Sequence, residues 1–256
     1  MGVLLQTKNI SKFYGGIKAV QNIDMQVEEG EIFGIIGPNG AGKTSFFNVC
    51  TGNLQPNGGE VWFDGKNITG LRPARIATMG IARTFQNIQL FNFMTVLENV
   101  KIGFHTHEKT NIADAILHTK RYKEDERLTH EKAVSLIDRL GLTKESDNLA
   151  GNLAYGVQRR VEIARALALE PKILLLDEPA AGMNPIETRD LSDFIKQLRK
   201  DGHTIVVIEH DMKFVMNLCD RIMVINFGKK ICEGGPAHVK ADKEVNEAYF
   251  GKGTTF

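Results

Sequence analysis

An α/β fold with a parallel or mixed core sheet, an antiparallel β region and an inserted α-helical lobe is the class this sequence predicts, on three observations. Continuous apolar runs at residues 31–36, 173–177 and 204–208 have strand length and no alternation, as strands buried on both faces do. Helical stretches separate the later runs, the order of a parallel sheet covered by helices. The first third instead alternates, and residues 93–169 change to helical spacing.

Residues 3–10 and 22–27 alternate as half-buried strands, and residues 59–63 form another, closed by Asp64-Gly65. Residues 43–50 are helix-compatible and end before Thr51-Gly52. In the helical insert, Ala133, Val134, Leu136, Ile137 and Leu140 recur at steps of three and four until Gly141 stops them. The mixed charges of residues 120–127 predict a solvated helix face. Residues 221–226 and 229–233, joined through Phe227-Gly228, predict a terminal hairpin, and residues 242–250 a last short helix.

Composition narrows the function classes. The 256 residues hold 32 Lys plus Arg against 31 Asp plus Glu, and a net charge of +1 excludes an electrostatic nucleic-acid footprint. Cys50, Cys219 and Cys232 show no paired spacing, so neither a zinc framework nor disulfides are expected, and the thiols read as core residues of a reducing compartment. His105 and His107 lack a third ligand candidate of suitable spacing. No run of about 18 apolar residues occurs, and residues 1–8 lack a basic region followed by an apolar one. The expectation is a soluble chain without a signal peptide.

The chemistry begins at Gly37-Pro38-Asn39-Gly40-Ala41-Gly42-Lys43-Thr44, followed by Ser45, which fits G-x-x-x-x-G-K-[ST] between a strand and a helix. Glycines let successive amide N–H groups face phosphate oxygens, and the helix adds its positive end. Lys43 reaches the terminal phosphates and Thr44 ligates Mg²⁺. A loop of this kind also needs a carboxylate for the metal and a base for water. The apolar strand ending in Asp177-Glu178 supplies both: Asp177 for the Mg²⁺ shell, Glu178 for the water. A further strand ends in Glu209-His210-Asp211, where His210 is either an ordinary rim residue or a hydrogen-bond partner of a terminal phosphate.

The ordered series of phosphate loop, Gln86, Leu153-Ala154-Tyr155-Gly156-Val157-Gln158, Asp177-Glu178-Pro179 and His210 resembles the ATP-binding cassette (ABC) ATPases over nearly the whole chain. That resemblance implies a P-loop NTPase fold in a single nucleotide-binding domain over residues 1–256. Residues 1–87 and 170–256 would form a RecA-like core plus β region, and residues 88–169 a helical subdomain. It implies ATP and Mg²⁺ as cofactors, Tyr14 stacking on adenine, and Gln86 linking Mg²⁺ and the attacking water to a membrane partner. It further implies that residues 153–158 are the signature, acting in trans on a second protomer's nucleotide, and that residues 181–184 cross between the two sites. Here Ala154 replaces the usual serine, Tyr155 a glycine, Val157 a glutamine, and Asn184 the common aspartate. Losing a hydroxyl to a charged phosphate costs about 1.5 to 3 kcal/mol, while the backbone amides and the helix dipole remain. The reading is a working but modified half-site, which a heterodimer tolerates.

The variants Leu153-Ala154-Tyr155-Gly156, residues 83–91, 94–100 and 178–185 resemble the LivG-type ATPases of branched-chain amino-acid importers. Such importers imply a second ABC ATPase, two membrane permeases, an extracytoplasmic solute-binding protein, and a peripheral place on the cytoplasmic face of the inner membrane. Ile88, Leu90, Phe91, Phe93 and Met94 read as an apolar docking surface for a permease. Competing readings are an ABC ATPase for urea or lipid cargo and the soluble ABC ATPase of iron-sulfur assembly. A guanine-reading Asn-Lys-x-Asp tetrad is absent.

Overall fold

The computed structural model describes residues 2–105, 114 and 117–250. The chain divides into two compact units, Met1–Gln86 with Lys172–Phe256, and Asn87–Pro171.

The first unit holds two sheets. β1 (Val3–Tyr14) pairs antiparallel with β2 (Ile17–Glu28) and with β4 (Gly58–Phe63), and β5 (Lys66–Asn67) closes a four-stranded sheet of order β2-β1-β4-β5. β1 and β2 run further than alternation predicts. Asn9 (φ 51°) and Asn22 (φ 48°) take left-handed backbone inside them, and the register shifts between Thr7 and Ile10 on β1. Such a bulge breaks the period-two pattern while the ladder continues.

The second sheet has six strands: β3 (Ile32–Ile36), β6 (Ile81–Arg83), β7 (Ile173–Asp177), β8 (Thr204–Glu209), β9 (Arg221–Asn226) and β10 (Lys229–Gly234), in the order β10-β9-β3-β8-β7-β6. β9 through β6 are parallel and β10 is antiparallel to β9, so the core sheet is mixed. All residues of β3, β7 and β8 are buried, which explains their unbroken apolar runs. α1 (Lys43–Cys50), α2 (Pro73–Thr78), α6 (Pro185–Lys200), α7 (Met212–Leu218), α8 (Pro236–Ala241) and α9 (Lys243–Phe250) complete this unit. β6, α2 and α8, which the sequence patterns did not reveal, are three to six residues long, too short for a period to register.

The second unit is helical. α3 (Val96–Phe104) begins with a capping box of Thr95 and Glu98 and packs against α4 (Lys120–Arg139) and α5 (Tyr155–Leu167). Residues 120–127 open α4, where exposed Arg127 bridges Glu124 and Glu131, each at 2.6 Å. His107 lies outside the described residues. Among those described, no helix is long and apolar enough to cross a membrane.

Candidate nucleotide site

Four adjacent parallel strands deliver the polar residues to one edge. β3 leads into the loop at Gly37, β8 ends at Glu209, β7 at Asp177 and β6 at Arg83. Register aligns Glu209 with Ile36, and Asp177 with Ile208. Ligands of open parallel sheets bind at this carboxyl edge.

The loop is shaped by what its glycines admit. A Cβ on Gly37 would lie 2.0 Å from the Ile225 carbonyl oxygen, and one on Gly42, at φ +102°, would lie 2.1 Å from that of Ala19. Both positions therefore exclude a side chain. Gly42 is the N-cap of α1, so the free amides of its first turn open onto the loop. Buried Lys43 donates to the Gly37 and Pro38 carbonyls at 2.7 and 3.1 Å. Burial lowers its pKa, and Glu178, Glu209 and Asp177 oppose that shift. Thr44 is exposed and Ser45 half-buried in the first turn of α1, while Asn39 and Gly40 are exposed and Ala41 is buried. The hydroxyl of Tyr249 on α9 meets the Gly37 backbone, and burial raises its pKa.

The acids are held differently. Asp177, 5% exposed, pairs with Arg83 at 2.6 Å, and Arg83 also donates to Asn48 and Thr51 at 2.7 and 2.9 Å. Glu178 has φ 43°, and its amide bonds the Ile208 carbonyl at 2.9 Å, so the carboxylate turns out of the strand. Gln86 Nε2 donates to Glu178 Oε2 at 2.9 Å, and His210 Nδ1 stands 3.5 Å from that same oxygen. Gln86, Glu178 and His210, far apart in sequence, thus form one cluster.

Sequence reasoning assigned no role to Glu209 or Arg83. Glu209 is fully buried and accepts from the Ala180 and His210 amides at 2.9 and 3.2 Å, and burial raises its pKa. It thereby ties the strand end of His210 to the 180–184 loop. Both residues stood in segments already singled out, so the signal was position at a strand end.

Tyr14 ends β1, in the other sheet, 44% exposed with Lys12 Nζ 5.4 Å above its ring. Residues 153–158 lie in the helical unit. Leu153 leads to Ala154, the N-cap of α5, which has no side-chain cap. Gln158 donates to the Leu153 carbonyl at 3.0 Å. Tyr155 takes a 3.4 Å contact from buried Arg159, which pairs with Glu162 at 2.7 Å. The tyrosine therefore supports a buried ion pair where glycine would offer nothing. Gly156 and Val157 are half-buried in the first turn of α5.

Thr44, Asp177 and Gln86 present a hydroxyl, a carboxylate and an amide, the hard oxygen donors that suit Mg²⁺. Three carboxylates stand near Lys43, so an anion bound at the loop needs a divalent cation to screen it from them. The residues fit Mg²⁺ on charge and donor type.

Fold and site together define a P-loop nucleotide triphosphatase. The chain belongs to the ABC transporter family, whose model matches residues 20–181. It is 43% identical over 250 residues to the high-affinity branched-chain amino acid transport ATP-binding protein BraF of Pseudomonas aeruginosa, covering 97% of this chain and 98% of that one. It is 42% identical, with the same coverages, to LivG of Escherichia coli K12, whose name carries the same description. A crystal structure of an ATP-binding cassette of an ABC transporter in its ADP conformation is similar at TM-score 0.85 and 37% identity, covering 98% of this chain and 100% of that one. A dimeric post-hydrolysis cassette bound to ADP and Pi is similar at TM-score 0.74 and 26% identity, covering 91% and 99%. The chain is an ABC ATPase.

Proposed function

We propose that this chain binds ATP with Mg²⁺ and hydrolyses it as the energising subunit of an importer for branched-chain amino acids. The observation that carries the catalytic part is the cluster of Gln86, Glu178 and His210 at 2.9 and 3.5 Å, just beyond the ends of β6, β7 and β8. The loop amides and Lys43 hold the phosphates, and Tyr14 stacks on the base. Thr44, Asp177 and Gln86 hold Mg²⁺, which supplies charge neutralisation when bound. Glu178 takes the proton of the attacking water, with Gln86 fixing its carboxylate and His210 facing the same oxygen. Arg83 pairs with the Asp177 carboxylate at 2.6 Å and orients it.

Residues 153–158 act in trans on the nucleotide of a second ABC ATPase. Two membrane permeases dock on the helical unit, an extracytoplasmic binding protein delivers cargo to them, and this chain sits peripherally on the cytoplasmic face of the inner membrane. The cargo assignment is supported by BraF and LivG, which are branched-chain amino acid transport ATP-binding proteins. The test is Glu178→Gln. Phosphate release should fall by about 10²- to 10⁴-fold, as loss of a general base does, with ATP affinity retained. Hydrolysis near the wild-type rate would remove Glu178 as the base.

A further inference from the structure

Away from the nucleotide site, β10 and the two helices after it bring together three unlike donors. The Cys232 sulfur, a His238 ring nitrogen and an Asp242 carboxylate oxygen lie within 4.8 Å of one another. We propose that Cys232, His238 and Asp242 form a binding site for a divalent cation of the zinc class, with a fourth position open to water or an exchangeable ligand.

Three features support it. The donor set is mixed: one thiol, one imidazole and one carboxylate are the groups zinc takes, and hard cations such as Mg²⁺ do not select for sulfur. Cys232 and Asp242 are held in place, and His238 is exposed beside them. Cys232 is buried on β10, with its sulfur within 4.8 Å of an Asp242 carboxylate oxygen. Asp242 follows α8 and accepts the Val245 amide through Oδ1 at 3.0 Å, which fixes the carboxylate at the start of α9. His238 lies over Gly234, where a Cβ would meet its Cδ2 at 2.5 Å, so the hairpin leaves the room that the ring occupies.

The separations also fit. Ligands at about 2.0–2.3 Å from a tetrahedral ion stand roughly 3.3–3.8 Å apart, so donors that lie within 4.8 Å of one another need to close by roughly 1.5 Å at most. On binding, the cation replaces the thiol proton, which leaves to water. A search for paired cysteines passes over this set, because its donors are of three kinds and follow one another at intervals of six and four residues.

A bound cation would tie β10 to the junction of α8 and α9, and α9 carries Tyr249 to the Gly37 backbone.

The test is titration of the tag-free, reduced full chain with Co²⁺, followed by Zn²⁺ competition. One equivalent of Co²⁺ should give a thiolate-to-cobalt charge-transfer band with tetrahedral d–d bands, and Zn²⁺ should bleach both. Cys232→Ser should lose the charge-transfer band, and His238→Ala should weaken binding by about tenfold or more. Circular dichroism identifies any variant that has failed to fold. Cys50→Ser and Cys219→Ser should leave the spectrum unchanged. The proposal is overturned if wild type shows no charge-transfer band, or if the band survives Cys232→Ser or vanishes with Cys50→Ser or Cys219→Ser in folded protein.

Discussion

At the scale of single residues, Glu209 joins burial, charge and position most tightly. Its carboxyl is fully buried between the Ala180 and His210 amides, and burial raises its pKa above the ordinary 4.5. A raised folded pKa means that the group's contribution to stability is full below about pH 4.5 and is lost as pH rises through the folded value. Glutamine carries no such titration. Wild type and Glu209→Gln should therefore differ least in unfolding free energy near pH 4, and the difference should grow in favour of the variant as pH rises. Urea denaturation across that range checks this, and a pH-independent difference would contradict it. The residue also shows what a sequence hides. Glu209, His210 and Asp211 are consecutive polar residues, and the backbone sends them to three tasks: buried tether, partner of Glu178 and cap of α7. Nothing in their order distinguishes the tether from the others.

At the scale of elements, the departures of this signature become questions about helix ends. Asn184, where aspartate is usual, caps α6 through both the Ile186 and Glu187 amides and completes a capping box with Glu187. The cap is therefore intact. Ala154 stands at the N-cap of α5 with extended backbone (φ −58°, ψ 148°) and caps nothing. Ala154→Ser should add the missing acceptor and raise the unfolding free energy by about 1 kcal/mol. A shift in the denaturation midpoint at constant slope measures it, and an unchanged midpoint would show that serine fails to cap here. Legibility in the sequence follows the same physics. β3, β7 and β8 were plain because both faces are buried, and α1 because its loop announces it. β1 and β2 were cut short where Asn9 and Asn22 turn the backbone left-handed, and β6, with three residues, offers no period to read. Of the candidate site, the residue types at the loop and strand ends were legible. The clustering of Gln86 with Glu178 was not, since it depends on β6 lying beside β7.

At the scale of the whole molecule, the apolar surface of the helical unit and the altered signature both concern association. Phe93 is 94% exposed and Phe91 51%, whereas Ile88, Leu90 and Met94 are half-buried. Of these five residues the two phenylalanines have the most apolar area left to bury, so a docking partner would cover them first. Phe91 also lies 5.7 Å from the Arg165 guanidinium, so Phe91→Asp disturbs the helical unit as well as the surface, and Phe93→Asp separates the two effects. Phe93→Asp should abolish copurification with permease and leave ATP affinity unchanged. Retention of permease would place the interface elsewhere. The signature sets the last expectation. In a Glu178→Gln background, where hydrolysis should be slowed, self-association in Mg-ATP should be weak, because Ala154 lacks the hydroxyl that serine would offer to phosphate. Ala154→Ser restores that donor, worth about 1.5 to 3 kcal/mol to a charged acceptor. The dimer dissociation constant should then fall by about tenfold or more. Sedimentation velocity in Mg-ATP against Mg-ADP measures it. An ATP-dependent dimer that is already tight with Ala154 would show that the backbone amides and dipole of α5 suffice, and the case for an unlike partner subunit would lose its physical basis.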